Sequence, residues 1–150
     1  MKILIYGYGN PGRQDDGVGN FFVNELKKWA EKKKIKHIFF DSNYQLNIED
    51  SLEITKYDLI IFVDAAKNVK NGYNFNRIYP EKINFYTMHK IMPENILFLS
   101  KELYNKEPVC YLLTIKGYKW EINKTPTKKA IKNVKSSMIY VKKYIKALKK

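Results

Sequence analysis

Strands and helices alternate along this chain, which predicts an α/β fold: a three-layer α/β/α arrangement with a mostly parallel sheet of about five strands and helices on both faces. Two observations carry that prediction. Residues 2–8, KILIYGY, and 57–65, YDLIIFVDA, are strongly apolar runs of strand length. The stretches between such runs repeat their apolar residues at helical spacing, giving the order β-α-β-α-β-β-α-β-α.

The first run reads as a buried strand ending in a glycine turn. A helix is then expected from Asp16 or Gly17 to about Lys34, because Val18, Phe21, Phe22, Leu26 and Trp29 share one face and Lys27, Lys28, Lys32 and Lys33 the other. A short strand over 36–41 and a short helix over 47–56 follow. The next strand is the run ending at Asp64, whose polar side chain marks its carboxyl end. Residues 72–80, GYNFNRIYP, alternate like a half-exposed strand and belong at a sheet edge. A loop carrying His89 leads to a helix with Pro93 in its first position and Ile96, Leu99 and Leu103 on one face. Residues 109–115, VCYLLTI, form the last strand. The last helix opens at Thr125-Pro126 and turns Ile131, Val134, Met138, Val141, Ile145 and Leu148 inward.

At 150 residues the chain has the usual size of one domain, and a single domain over 1–150 is expected. A hydrophobic share of 45% excludes a disordered chain. No apolar run reaches the roughly 18 residues of a membrane span, and the first residues lack the apolar region and cleavage site of a signal peptide. A cytoplasmic location is therefore expected, with no membrane partner. The one cysteine, Cys110, sits in a strand-like run and reads as a buried thiol rather than a nucleophile.

The net charge is +13, but it is unevenly spread. No acid follows Glu121, and ten lysines fall between Lys124 and Lys150; removing those ten leaves +3 for the first 121 residues. The basicity thus belongs mostly to one helix, as a solvated face or as a patch that attracts an acidic partner. Nucleic-acid binding would need aromatics interleaved with that face. Tyr140 and Tyr144 lie there, yet Tyr144 borders the inward stripe and packing accounts for it, so no nucleic-acid partner is expected.

In a parallel sheet, ligands bind beyond the carboxyl ends of the strands. The first and third strands end at Gly7–Asp16 and at Asp64, which brings both carboxylates to one rim. Gly7-Tyr8-Gly9-Asn10-Pro11-Gly12 fits the dinucleotide pattern G-x-G-x-x-G, so a dinucleotide-binding protein using Gly7, Gly9 and Gly12 is one alternative. Asp15 and Asp16 oppose it, because they place negative charge where a pyrophosphate needs positive potential. The candidate ribose acid, Asp41, also lies further along than the usual ~20 residues. One of Asp15 and Asp16 can cap the helix; the other is then free for chemistry. Asp64 can equally serve as a strand-end residue bonded to local backbone, and His89 as an ordinary loop histidine. His37 starts a strand away from the rim and reads as structural. Asp16, Asp64 and His89 together can form an oxygen, oxygen, nitrogen ligand set for a divalent metal such as zinc or nickel.

In this order and spacing the residues resemble a family. Gly7-Tyr8-Gly9-Asn10 followed by Asp15-Asp16-Gly17-Val18-Gly19, then Asp41 through Tyr44-Gln45-Leu46-Asn47-Ile48-Glu49-Asp50, then Val63-Asp64-Ala65 and Met88-His89-Lys90 before a helix are similar to the nickel–iron hydrogenase maturation proteases. The likeness spans residues 3 to about 99 and is weaker beyond, where only the strand-then-helix layout matches. It implies an aspartyl-type endopeptidase that removes the carboxyl-terminal extension of a hydrogenase large-subunit precursor after nickel insertion. It implies that Asp16, Asp64 and His89 are the nickel-sensing and catalytic residues, with Gly9, Asn10, Asp15 and Asp41 as substrate-contacting candidates. The nickel would be the ion carried by the precursor, though another divalent metal could occupy the isolated protein. A non-catalytic, nickel-dependent binding or chaperone module for the precursor is the other alternative.

Overall fold

The computed structural model describes residues 1–84, 86 and 90–148. Its five strands are β1 (Ile3–Tyr8), β2 (Ile38–Asn43), β3 (Leu59–Ala66), β4 (Tyr73–Ile78) and β5 (Val109–Lys116), in the spatial order β2-β1-β3-β5-β4. β2, β1, β3 and β5 run parallel, and β4 pairs antiparallel with β5 at the edge. The expected three-layer α/β design and the edge position of the 72–80 segment are both met. β1 is buried along its whole length, as a central strand covered on both faces must be.

Four helices cover the sheet: α1 (Val18–Lys32), α2 (Asp50–Glu53), α3 (Pro93–Tyr104) and α4 (Lys128–Leu148). α1 and α4 bury Val18, Phe22, Leu26, Val134, Val141 and Ile145 against Ile3, Ile5, Ile61 and Val63 on one face. On the other face Leu4, Tyr6, Tyr8, Ile60 and Phe62 pack with Leu46, Ile54, Ile96 and Leu97. The alternation of β1 divides its side chains between these two cores.

Several details differ from the sequence expectation, among them the span of β2, expected over 36–41 and found at Ile38–Asn43. A turn of 3₁₀ helix over Gln14–Gly17 precedes α1, so the helix proper starts at Val18, one or two residues after the expected Gly17 or Asp16. α3 buries Ile96, Leu97 and Ser100, while Leu103 is 59% exposed, so its inward face is rotated from the expected stripe. The cap of α4 is Thr127 rather than Thr125: the Thr127 hydroxyl accepts the Ala130 N–H at 3.2 Å. Among the described residues no helix is long and apolar enough to cross a membrane.

Candidate active site

The chain leaves β1 on one side to build β2 and returns on the other side for β3. The order therefore reverses between β1 and β3, the position where parallel sheets open a crevice at their carboxyl ends. A groove of about 520 Å³ opens there, lined by Tyr8, Gly9, Asp16 and Asp64 together with residues 44–49, Lys90 and Ile91. Asp16 and Asp64, far apart in sequence, are thus brought to one groove.

Asp16 is aimed by the glycine loop. Its Oδ2 accepts the Asn10 N–H at 2.8 Å, which closes the loop into a ring of hydrogen bonds. Gly9 sits at φ +145°, a conformation essentially closed to L side chains, and a Cβ there would collide with the Asp16 carbonyl oxygen. Gly19 lets α1 start directly against the sheet, since a Cβ would lie 2.6 Å from the Val63 carbonyl oxygen.

Asp64 is held more deeply. Its Oδ1 accepts the Ala65 N–H at 2.8 Å, and the Tyr8 hydroxyl is among the groups that act on the same carboxylate. Burial pushes its pKa up to about 6; Asp16 adds to the rise, while Lys90, the Ala65 N–H and the Tyr8 hydroxyl hold it down. The Tyr8 hydroxyl is pushed well above its ordinary value, first by burial and then by the charge of Asp64, and so remains a donor at neutral pH. Tyr8 was not among the sequence candidates. Its signal was available, because alternation from Leu4 and Tyr6 sets it on the face that ends in the groove.

Asp15 goes elsewhere. Its carboxylate is fully buried and accepts the Tyr118, Lys119 and Thr127 N–H groups at 2.7, 3.1 and 2.7 Å, with the Thr127 hydroxyl at 2.9 Å. A carboxylate so engaged ties two loops together and does not line the groove, although the sequence expectation makes it a substrate contact. Neither Asp15 nor Asp16 caps α1, whose N-cap position is Gly17 with no side-chain cap. Asp41 is exposed on β2, where its Oδ1 accepts the Ser42 N–H at 2.8 Å, and it too stands outside the groove lining. Asn10 contributes its backbone to Asp16, and its Oδ1 accepts the Gly12 N–H at 2.9 Å.

The groove wall over 44–49 is anchored from behind. Asp50 Oδ2 accepts both the buried Tyr6 hydroxyl at 2.9 Å and the Asn47 N–H at 2.8 Å. Leu46 is buried in the core below, while Tyr44 and Ile48 stay exposed at the lip.

His89 lies outside the described residues, next in sequence to Lys90 of the groove wall. Among the described residues no group of three or more His, Cys, Asp or Glu side chains is placed to hold a metal. Asp16 and Asp64 are therefore the two oxygen donors of the expected ligand set that can be located here. Cys110 is fully buried, and burial pushes its thiol up to about 12, so it is not a thiolate near neutral pH. The dinucleotide alternative loses its support. The loop N–H groups that would cradle phosphate are used internally: Gly9 to Asn43 O at 3.0 Å, Asn10 to Asp16 and Gly12 to Asn10.

No protein-family model matches the sequence, and no curated protein matches it significantly. Solved structures do match. The chain is similar to the [NiFe] hydrogenase maturation protease HycI of Thermococcus kodakarensis, with a TM-score of 0.72 and 18% identity over 97% of this chain and 92% of that one. It is similar to the hydrogenase maturating endopeptidase HybD of E. coli, with a TM-score of 0.68 and 18% identity over 94% and 90%. A hydrogenase 2 maturation peptidase from a Thaumarchaeota archaeon gives 0.68 and 14% identity over 97% and 98%. At these identities the shared property is the fold, and it is shared along nearly the whole chain.

Proposed function

We propose that this protein is an endopeptidase that removes the carboxyl-terminal extension of a nickel–iron hydrogenase large-subunit precursor after nickel has been inserted. The observation that carries this reading is the meeting of Asp16 and Asp64 in one groove at the β1/β3 switch point. The fold common to solved maturation proteases supports it, as do the residues Gly7–Gly19, Asp64 and His89 that resemble the family's pattern.

The chemistry follows from the two carboxylates and their surroundings. Ionised oxygens and a neutral imidazole suit a borderline divalent ion. With nickel held by the precursor, Asp16, Asp64 and His89 complete its coordination and set the adjoining peptide bond in the groove. The metal is then substrate, and the ligand set lies idle until nickel arrives. The Ala65 N–H holds the Asp64 carboxylate, which reduces the ordering left for the moment of binding. The residues 44–49 line the path of the extended segment beside the cut. The reaction takes place in the cytoplasm in this reading, and the partner is the precursor rather than nucleic acid or membrane.

Incubation of the protein with nickel-loaded precursor, followed by mass analysis, tests this. The expected product is a large subunit shortened at its carboxyl terminus, absent when the precursor lacks nickel and absent with Asp16→Ala or His89→Ala. A stable complex with loaded precursor that yields no shortened chain would replace the peptidase with a binding module. Equal processing of nickel-free precursor would remove the role assigned to the metal.

A further inference from the structure

A second chemical feature lies on the loop 117–127 after β5, which is bonded to the site loop. That loop is fastened to the site loop by Asp15, and Gly117 N–H donates to the Ala66 carbonyl at 2.9 Å. The Trp120 ring lies directly on Gly117, where a Cβ would come within 2.9 Å of it. Cations gather on the two aromatic rings. The Lys67 ammonium stands 5.7 Å from the Trp120 ring centre, and Lys116 and Lys129 stand 5.6 and 5.7 Å from that of Tyr118. Arg13 donates to the Trp120 carbonyl at 3.4 Å, and Lys119 is exposed on the same loop.

Among the described residues none of these cations is in an ion pair. The ion pairs among the described residues join Lys28 to Glu25, Lys56 to Glu53 and Lys101 to Glu107, all elsewhere. Asp15 is buried and spent on three backbone N–H groups and the Thr127 hydroxyl, which leaves Glu121 as the exposed acid on the loop. Rings that hold ammonium groups in place reduce the ordering cost of binding an anion. Lys67 follows Asp64 by three residues, at most about 10 Å along an extended chain, which is close enough for one partner to reach both rim and groove.

We infer that this rim of Arg13, Lys67, Lys116, Lys119 and Lys129 around Tyr118 and Trp120 docks an acidic segment of the protein substrate while the adjoining segment enters the groove. Identifying the partner as substrate rests on the peptidase reading above. A polypeptide suits the pair of surfaces better than a nucleic acid, whose phosphates would meet Asp16, Asp64 and Glu49 in the groove. A protein can present carboxylates to the rim and neutral residues to the groove.

The test uses a labelled glutamate-rich peptide and fluorescence anisotropy, with no cleavage required. Lys67→Ala/Lys119→Ala/Lys129→Ala should weaken binding about tenfold at about 50 mM salt, with a smaller difference at about 300 mM. Lys27→Ala/Lys32→Ala/Lys33→Ala, at the far end of α1, removes the same charge and should leave binding unchanged; an unaltered melting temperature confirms that both variants fold. With nickel-loaded precursor the rim variant should raise KM and leave kcat unchanged. Equal weakening by the α1 variant would overturn the inference, because binding would then follow net charge. So would an oligonucleotide of similar charge binding the rim more tightly than the peptide. If the peptide binds at the rim but no precursor is cut, the docking surface stands and the peptidase reading fails.

Discussion

Asp15 and Thr127 are joined by two hydrogen bonds across 112 residues of chain: Oδ1 accepts the Thr127 N–H at 2.7 Å and Oδ2 the Thr127 hydroxyl at 2.9 Å. The same Thr127 hydroxyl caps α4 by accepting the Ala130 N–H. One buried carboxylate thus positions the start of the last helix, the loop 117–127 and the site loop together. Its neighbour Asp16 takes one loop N–H and faces the groove. The paired aspartates divide the work, one holding structure and one available for chemistry.

Removing Asp15 should therefore cost stability. Asp15→Ala takes the acceptor from three part-buried backbone N–H groups and a hydroxyl, and the expected loss is about 2–4 kcal/mol. Asp16→Asn keeps an acceptor for the Asn10 N–H, and its cost should stay below about 1 kcal/mol while processing is lost. Thermal melts of the two variants beside a cleavage assay separate the roles. Equal stability loss in both would show that the division is wrong.

The rise in the pKa of Asp64 gives a pH signature. A carboxyl whose folded pKa, about 6, exceeds its ordinary 3.8 favours the fold in its protonated form. That contribution is complete below about pH 4 and is lost as pH rises through about 6. Asp64→Asn cannot ionise, so it should be more stable than the parent above pH 6, by about 1–3 kcal/mol, and indistinguishable near pH 4. Processing by the parent should rise through the same range as the carboxylate forms. A variant no more stable than the parent at pH 8 would contradict the burial argument.

Much of this was legible in the sequence, for a physical reason. Central strands and amphipathic helices announce themselves locally, so β1, β3, β5 and α1 were readable from periodicity alone. The rim position of Asp16 and Asp64 followed from the topological rule that parallel sheets bind at their carboxyl ends. What escaped was non-local. Nothing near Asp15 in sequence signals that its partners are Tyr118, Lys119 and Thr127, so a capping role was the natural expectation. The helix α3 turns Leu103 outward because a 12-residue helix with apolar residues at 96, 97, 98, 99 and 103 offers more than one inward stripe, and packing decides between them. Thr125 and Thr127 both flank a proline, and only the position of Asp15 selects the second as cap.

Gly9 should be irreplaceable where Gly12 is not. Gly9→Ala meets both the strained φ of +145° and the Asp16 carbonyl, so the loop must shift and carry Asp16 out of place. A cost of about 1–3 kcal/mol and loss of processing are expected. Gly12→Ala would place its Cβ 3.2 Å from the Asn10 side-chain oxygen with no unusual φ, and a small side-chain adjustment relieves it. Melting temperatures and cleavage rates of the two variants check this. Full activity in Gly9→Ala would mean that the loop does not set the position of Asp16.

Tyr6→Phe tests whether the groove wall matters apart from the carboxylates. Tyr6 donates to Asp50 Oδ2, the same oxygen that receives the Asn47 N–H from the wall. Burial already pushes the pKa of Asp50 up, and the Tyr6 hydroxyl counters it. Without that donor a buried carboxylate loses one of its bonds, at a cost of about 1–2 kcal/mol, and its hold on Asn47 loosens. Asp16 and Asp64 stay untouched, because Tyr6 lies behind residues 44–49 and does not line the groove. The expected kinetic result is a raised KM for precursor with kcat within about twofold of the parent. A fall in kcat at constant KM would mean that the wall aligns the reacting bond itself, and the 44–49 segment would then belong to the chemistry rather than to substrate capture.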